Sequence, residues 1–107
     1  MLDPAGSTAV AAAPDVLVQR LPDGESVFLN LVTEEYFALD LVGTAMWEEL
    51  TGSGSTGPAI RGLLDRFDVD EETLARDLST LVATLSERGL LLVGDDALAE
   101  AQAPAPD

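Results

Sequence analysis

The chain has no cysteine, no histidine and no lysine, and each absence removes a class of chemistry. Without cysteine there are no disulfides and no thiolate metal sites, and redox chemistry says nothing about the compartment. Without histidine, cysteine or lysine the usual general base, thiol nucleophile and Schiff-base amine are missing, and a serine or threonine hydroxyl has no partner to activate it. No catalytic residue, metal site or cofactor is expected, and the chain is not expected to be an enzyme. Apolar runs stay far short of the roughly 20 residues of a membrane span, and the N-terminus lacks the basic region and hydrophobic core of a signal peptide. No membrane association is expected, and the expected location is the cytoplasm. Positive charge is scarce too: five arginines stand against twenty acidic residues, a formal net charge of −15. Such a field repels phosphate backbones, which bind clustered positive charge, so nucleic acid is not an expected partner. It promotes solubility and favours a basic or neutral partner.

What is present fits one small domain. A chain of 107 residues buries roughly 60–70% of the surface its unfolded form exposes, enough to fold alone but with little room for a deep catalytic cleft. Residues 1–14 are rich in Ala, Gly, Ser and Pro, show no apolar periodicity, and read as a disordered tail. Order is expected from Asp15. Val16, Leu17, Val18 and Leu21 form a first strand, Pro22-Asp23-Gly24-Glu25 supplies turn chemistry, and Val27 to Leu31 resumes β-rich sequence. After a polar turn over Val32 to Glu35, Tyr36 to Leu39 closes a three-stranded meander. Asp40 is then a good N-cap for a helix whose apolar Leu41, Val42, Ala45, Met46 and Leu50 recur at helical spacing and which runs to about Thr51. Pro58 suits the first position of a second helix, with Ile60, Leu63, Leu64 and Phe67 on one face. Asp68-Val69-Asp70 ends that helix and caps a third, the longest, whose stripe is Leu74, Leu78, Leu81, Val82 and Leu85 and whose C′ residue is Gly89. Leu90 to Val93 is a short extended segment, and 94–107 reads as a disordered, acidic, Ala/Pro-rich tail. The predicted fold class is α+β, winged helix-turn-helix-like, a three-stranded antiparallel sheet followed by three helices, in a folded domain spanning 15–93.

Motifs that suggest chemistry fail on their surroundings. Gly52-Ser53-Gly54-Ser55-Thr56-Gly57 matches the dinucleotide-binding pattern, but a helix precedes it where a strand is required, so it reads as a flexible interhelical loop. A calcium loop starting at Asp68 would need Gly at its sixth position and a bidentate Glu at its twelfth; Thr73 and Ser79 stand there. The pairs Glu34-Glu35, Glu48-Glu49 and Asp95-Asp96 read as solvated faces, since adjacent residues point in different directions. Trp47, at the edge of the first helix's stripe, reads as core. Along the third strand, alternation places Glu35, Phe37 and Leu39 on an inward face and Glu34, Tyr36 and Ala38 on the other.

Three segments together resemble the PqqD-like family: Leu21-Pro22-Asp23-Gly24 with Leu29-Asn30, the run from Tyr36-Phe37-Ala38-Leu39-Asp40 through Gly43-Thr44-Ala45-Met46-Trp47-Glu48, and Leu85-Ser86-Glu87-Arg88-Gly89-Leu90-Leu91. The resemblance covers about residues 15–93. It implies a stand-alone recognition element for the precursors of ribosomally made, post-translationally modified peptides, most like the recognition half of a split lasso-peptide B protein. In such proteins a leader peptide adds as a further strand to the third strand and lies between it and the third helix. The implied partners are that precursor peptide and a cysteine-protease-like leader peptidase or another modifying enzyme. An exposed strand edge offers the unpaired N–H and C=O groups this mode uses, and apolar anchors must supplement them. The expected peptide-binding residues are Glu34, Glu35, Tyr36, Phe37, Ala38 and Leu39 on the strand and Asp77, Leu81 and Thr84 on the third helix, the acids attracting basic leader residues.

Two other functions compete. A winged-helix DNA-binding regulator would need clustered Arg or Lys on its recognition helix, whereas the third helix carries Asp70, Glu71, Glu72, Asp77 and Glu87 against Arg76 and Arg88. A small structural subunit docked permanently into an enzyme complex would use the same apolar groove.

Overall fold

The computed structural model describes residues 8–102, with side chains described to residue 100. The turn chemistry and apolar alternation of the first half produce a meander of β2 (Val16–Arg20), β3 (Ser26–Asn30) and β4 (Glu35–Leu39), following a short β1 (Val10–Ala12). Strand order is β2-β3-β4, antiparallel throughout, with Leu17 opposite Leu29 and Leu29 opposite Tyr36. Three helices follow, α1 (Leu41–Ser53), α2 (Thr56–Arg66) and α3 (Glu71–Glu87), and then β5 (Leu91–Val93) and α4 (Asp95–Gln102). The α+β, winged-helix-like plan is thus present. No helix among the described residues is long and apolar enough to cross a membrane.

Local chemistry explains the joints. Asp40 caps α1, its side chain accepting from the Gly43 N–H at 2.8 Å, and Asp70 caps α3 by accepting from the Thr73 N–H at 3.1 Å. At the far end of α3, the Leu90 N–H donates to the Leu85 carbonyl and the Gly89 N–H to the Ser86 carbonyl. This is a Schellman closure, and it needs the left-handed φ of +73° that Gly89 supplies without a Cβ penalty. The chain therefore reverses at once into β5. The core joins the inner face of the sheet to the helices: Phe28 is fully buried and meets Trp47 edge-to-face at a centroid distance of 4.7 Å, among Leu50, Leu63, Leu78 and Leu85.

Several sequence expectations are corrected. The disordered tail does not extend to residue 14, because Val10–Ala12 pairs antiparallel with Leu91–Val93 and buries Val10; residues 1–7 lie outside the described chain. The short runs on either side were each too brief to show alternation, so only their pairing reveals them. Likewise the expected tail from 94 begins as α4, whose Ala97 is buried, while 103–107 lie outside the described residues. The Gly/Ser segment between α1 and α2 is pinned rather than flexible: the Val10 N–H donates to the Gly54 carbonyl and the Thr56 N–H to the Thr8 carbonyl, both at 3.0 Å. Pro58 is the third residue of α2, not the first. Leu41 and Val42, assigned to the core stripe of α1, are 57% and 43% exposed. Glu48 and Glu49 are half-buried and paired, Glu48 with Arg20 and Arg66 and Glu49 with Arg66, because α1, α2 and the end of β2 converge there.

Candidate functional site

Hydrogen-bond phase decides what β4 offers. The Leu21 N–H donates to the Glu25 carbonyl and the Leu31 N–H to the Asp15 carbonyl, each at 2.9 Å. These bonds direct the backbone groups of odd-numbered β3 residues toward β2, so Phe28 and its even-numbered neighbours face β4, where they meet Phe37, Glu35 and Leu39. The N–H and C=O groups of Tyr36 and Ala38 therefore point away from the sheet. No strand among the described residues covers them. Among the described residues the edge carries no proline or lysine and no covering strand.

Behind the edge lies a cleft of about 530 Å³ between the end of β4, the start of α1 and one side of α3. Of the nine expected binding residues, Ala38, Leu39, Asp77, Leu81 and Thr84 line it together. Phe37 lies on the inner face with Leu39, half-buried, and the Arg88 guanidinium sits over its ring at 5.5 Å. Glu35 belongs to a second hollow of about 350 Å³ at the opposite end of β4, beside Asn30, Thr33 and Arg88. Tyr36 reaches the edge only through its backbone, since its side chain is 71% exposed on the outer face. Glu34 stands apart from the strand: it closes the β3–β4 turn at a φ of +63°, its N–H donating to the Asn30 carbonyl.

Sequence reasoning missed residues that build this place. Val42 and Met46 line the cleft although their helical spacing reads only as core, and Asp40 lines it besides capping α1. The geometry of the two walls depends on Asn30. Its side-chain oxygen accepts from the Val32 and Thr33 N–H groups, while its amide nitrogen donates to the Arg88 carbonyl at 2.9 Å, tying the β3–β4 turn to the end of α3. Asparagine beside a turn was the available signal, but only the fold brings Arg88 to it. The arrangement presents outward backbone pairs, an apolar trough and carboxylates at its rim. Its chemistry is capture of an extended chain.

Those features have a family. The profile of the family described as Coenzyme PQQ synthesis protein D (PqqD) matches residues 25–91, and this chain belongs to that family. Among solved structures it is similar to one described as "TbiB1 in Complex with the TbiA(beta) Leader Peptide", at 30% identity over 76% of this chain and 93% of that one, with a TM-score of 0.69. It shares its fold with another, described as "Lasso peptide synthetase B1 complexed with the leader peptide", at 24% identity over 78% of this chain and 98% of that one, with a TM-score of 0.70. Comparison with curated proteins gives no match.

Proposed function

We propose that this chain binds the leader segment of a ribosomally made precursor peptide by strand addition to β4 and presents it, chemically unchanged, to a separate enzyme. The observation that carries this reading is the open edge at Tyr36 and Ala38 beside the cleft. A peptide strand pairs there through backbone groups, and its alternate side chains turn inward over Phe37, Leu39 and Leu81. Support comes from the 30%-identical structure, which was solved with a leader peptide. The partner enzyme in this proposal is a cysteine-protease-like leader peptidase of a lasso-peptide pathway in the cytoplasm, with this chain supplying recognition and no catalysis. Backbone bonds alone do not repay the ordering of a flexible peptide, so one or two buried apolar anchors must add about 1.5–3 kcal/mol each.

The test is calorimetric titration of synthetic leader peptides from precursor genes neighbouring this one. Nanomolar to micromolar binding is expected, with Ala38→Pro weakening it sharply and Phe37→Ala weakening it less. Binding that ignores proline at 38 in a folded variant would sink strand addition.

A further inference from the structure

The cleft beside β4 pairs apolar walls with negative charge that no arginine neutralises. Its apolar surface comes from Leu39, Val42, Met46 and Leu81, and its charged groups are Asp40 and Asp77; no arginine lines it. Asp40 is partly engaged, accepting from the Gly43 N–H. The Asp77 carboxylate, exposed on α3, has no hydrogen bond or ion pair to a described residue. The contrast with the opposite side of α1 is direct: there Glu48 and Glu49 hold Arg20 and Arg66. On that side arginine neutralises the carboxylates, and at the cleft none does.

Resting on the strand-addition reading, we infer that the captured peptide carries an arginine or lysine that enters this cleft, its methylenes along Val42, Met46 and Leu81 and its cation beside Asp77. Long basic side chains suit such a site because their stems are apolar and their heads charged. The phase of β4 also fixes the position. Peptide residues opposite Phe37 and Leu39 point inward, and the next inward position lies past Leu39, over Asp40 and the first turn of α1. The recognised pattern is therefore two apolar residues at alternate positions followed, one alternation further toward the Leu39 end, by a basic residue. In an antiparallel strand that residue is N-terminal to the apolar pair, and in a parallel strand C-terminal. The other end of β4 differs in kind: Arg88 stands there among Asp15, Glu35 and Glu87, so a peptide side chain meets a cation as well as carboxylates.

The experiment selects binders from a random library of about twelve-residue peptides displayed on phage, a length that spans the roughly 3.3 Å-per-residue strand with margin on both sides. Selected peptides are resynthesised and titrated against the full chain, Asp77→Asn and Ala38→Pro. The basic residue is expected in the selected pattern, its change to Gln weakening binding roughly two- to fivefold on the native chain and leaving binding to Asp77→Asn unchanged. Selected peptides without the basic residue, or effects of the peptide change and Asp77→Asn that simply add, overturn the inference. Ala38→Pro tests the underlying reading separately: it weakens the Arg and Gln peptides alike if strand addition holds, and leaves both bound if it does not. Asp77 has no partner to lose, so a thermal melt of Asp77→Asn confirms an unchanged fold.

Discussion

Proline at position 38 and proline at position 18 are matched perturbations of the two free edges of one sheet. Ala38 directs its N–H and C=O away from β3, and by the same phase Val18 directs its own away from β3 on the far side of β2. Neither substitution removes a bond of the sheet's own ladder, and both place a ring where a neighbouring strand would approach. A leader strand facing Tyr36 and Ala38 makes four backbone hydrogen bonds, worth about 0.5–1.5 kcal/mol each. Ala38→Pro removes the bond to its own N–H and forces the partner strand away from the adjoining carbonyl, a loss of about 1–3 kcal/mol, or roughly 5- to 150-fold in Kd. Val18→Pro carries a similar chain penalty and is expected to leave leader affinity within about twofold, a few tenths of a kcal/mol. Calorimetric titration of one leader peptide against all three proteins reads the difference, and circular dichroism confirms that each remains folded. Ala38→Pro binding as the native chain does, or Val18→Pro binding as weakly as Ala38→Pro, refutes the assignment of the edge.

Other expectations concern the scaffold. Phe28→Ala removes a fully buried ring packed edge-to-face with Trp47 and should cost about 3–5 kcal/mol, a large share of the roughly 5–15 kcal/mol available to a domain; thermal melts should show a much lower midpoint or no transition. Asn30→Ala strips the turn and the Arg88 carbonyl of their shared partner, a loss of about 1–3 kcal/mol in urea unfolding, and leader affinity should fall with it because β4 and α3 are no longer held in register. Asp40→Ala loses the α1 cap and should lower stability by about 0.5–2 kcal/mol, seen as a lower urea midpoint at unchanged slope. Glu48→Gln acts on partly exposed ion pairs and should change stability by less than about 1 kcal/mol.

Which of these features could be read from the residues follows from the range over which each is determined. The meander, the Asp40 and Asp70 caps, the Gly89 reversal and the inward set of Phe37 and Leu39 all depend on residues a few positions apart, and all were legible. The β1–β5 ribbon depends on a pairing between Val10 and Val93 across nearly the whole chain, with only three residues on each side, and was not. Val42 failed for a different reason. Helical periodicity marks a residue as apolar on one face without saying whether that face is covered, and here Val42 stays 43% exposed in the wall of the cleft. The paired acids at 48 and 49 failed because their arginines come from β2 and α2. Within the cleft, Ala38, Leu39, Asp77, Leu81 and Thr84 could be brought together from the residues, whereas Val42 and Met46 of α1 could not, and Glu34 and Glu35 lie elsewhere.

An edge left open for a peptide is also open to a second copy of the chain, and the placement of charge bears on that conflict. If two copies paired antiparallel about Phe37, the phase that directs Tyr36 and Ala38 outward would set each Tyr36 opposite the other copy's Ala38. Glu35 would then face Leu39, and Glu34 would fall beside Asp40, twice over by symmetry. Like charges placed opposite one another destabilise a strand pair, and each copy carries a formal charge of −15 into the encounter. A short peptide of neutral or basic character meets neither penalty. Apolar side chains turned inward find Phe37, Leu39 and Leu81, whereas a second copy's own Phe37 and Leu39 are already packed against its core. The proposed mode of binding therefore assigns the acids flanking the strand two effects of one field: discouraging the edge from pairing with itself and biasing it toward a chain of the opposite charge.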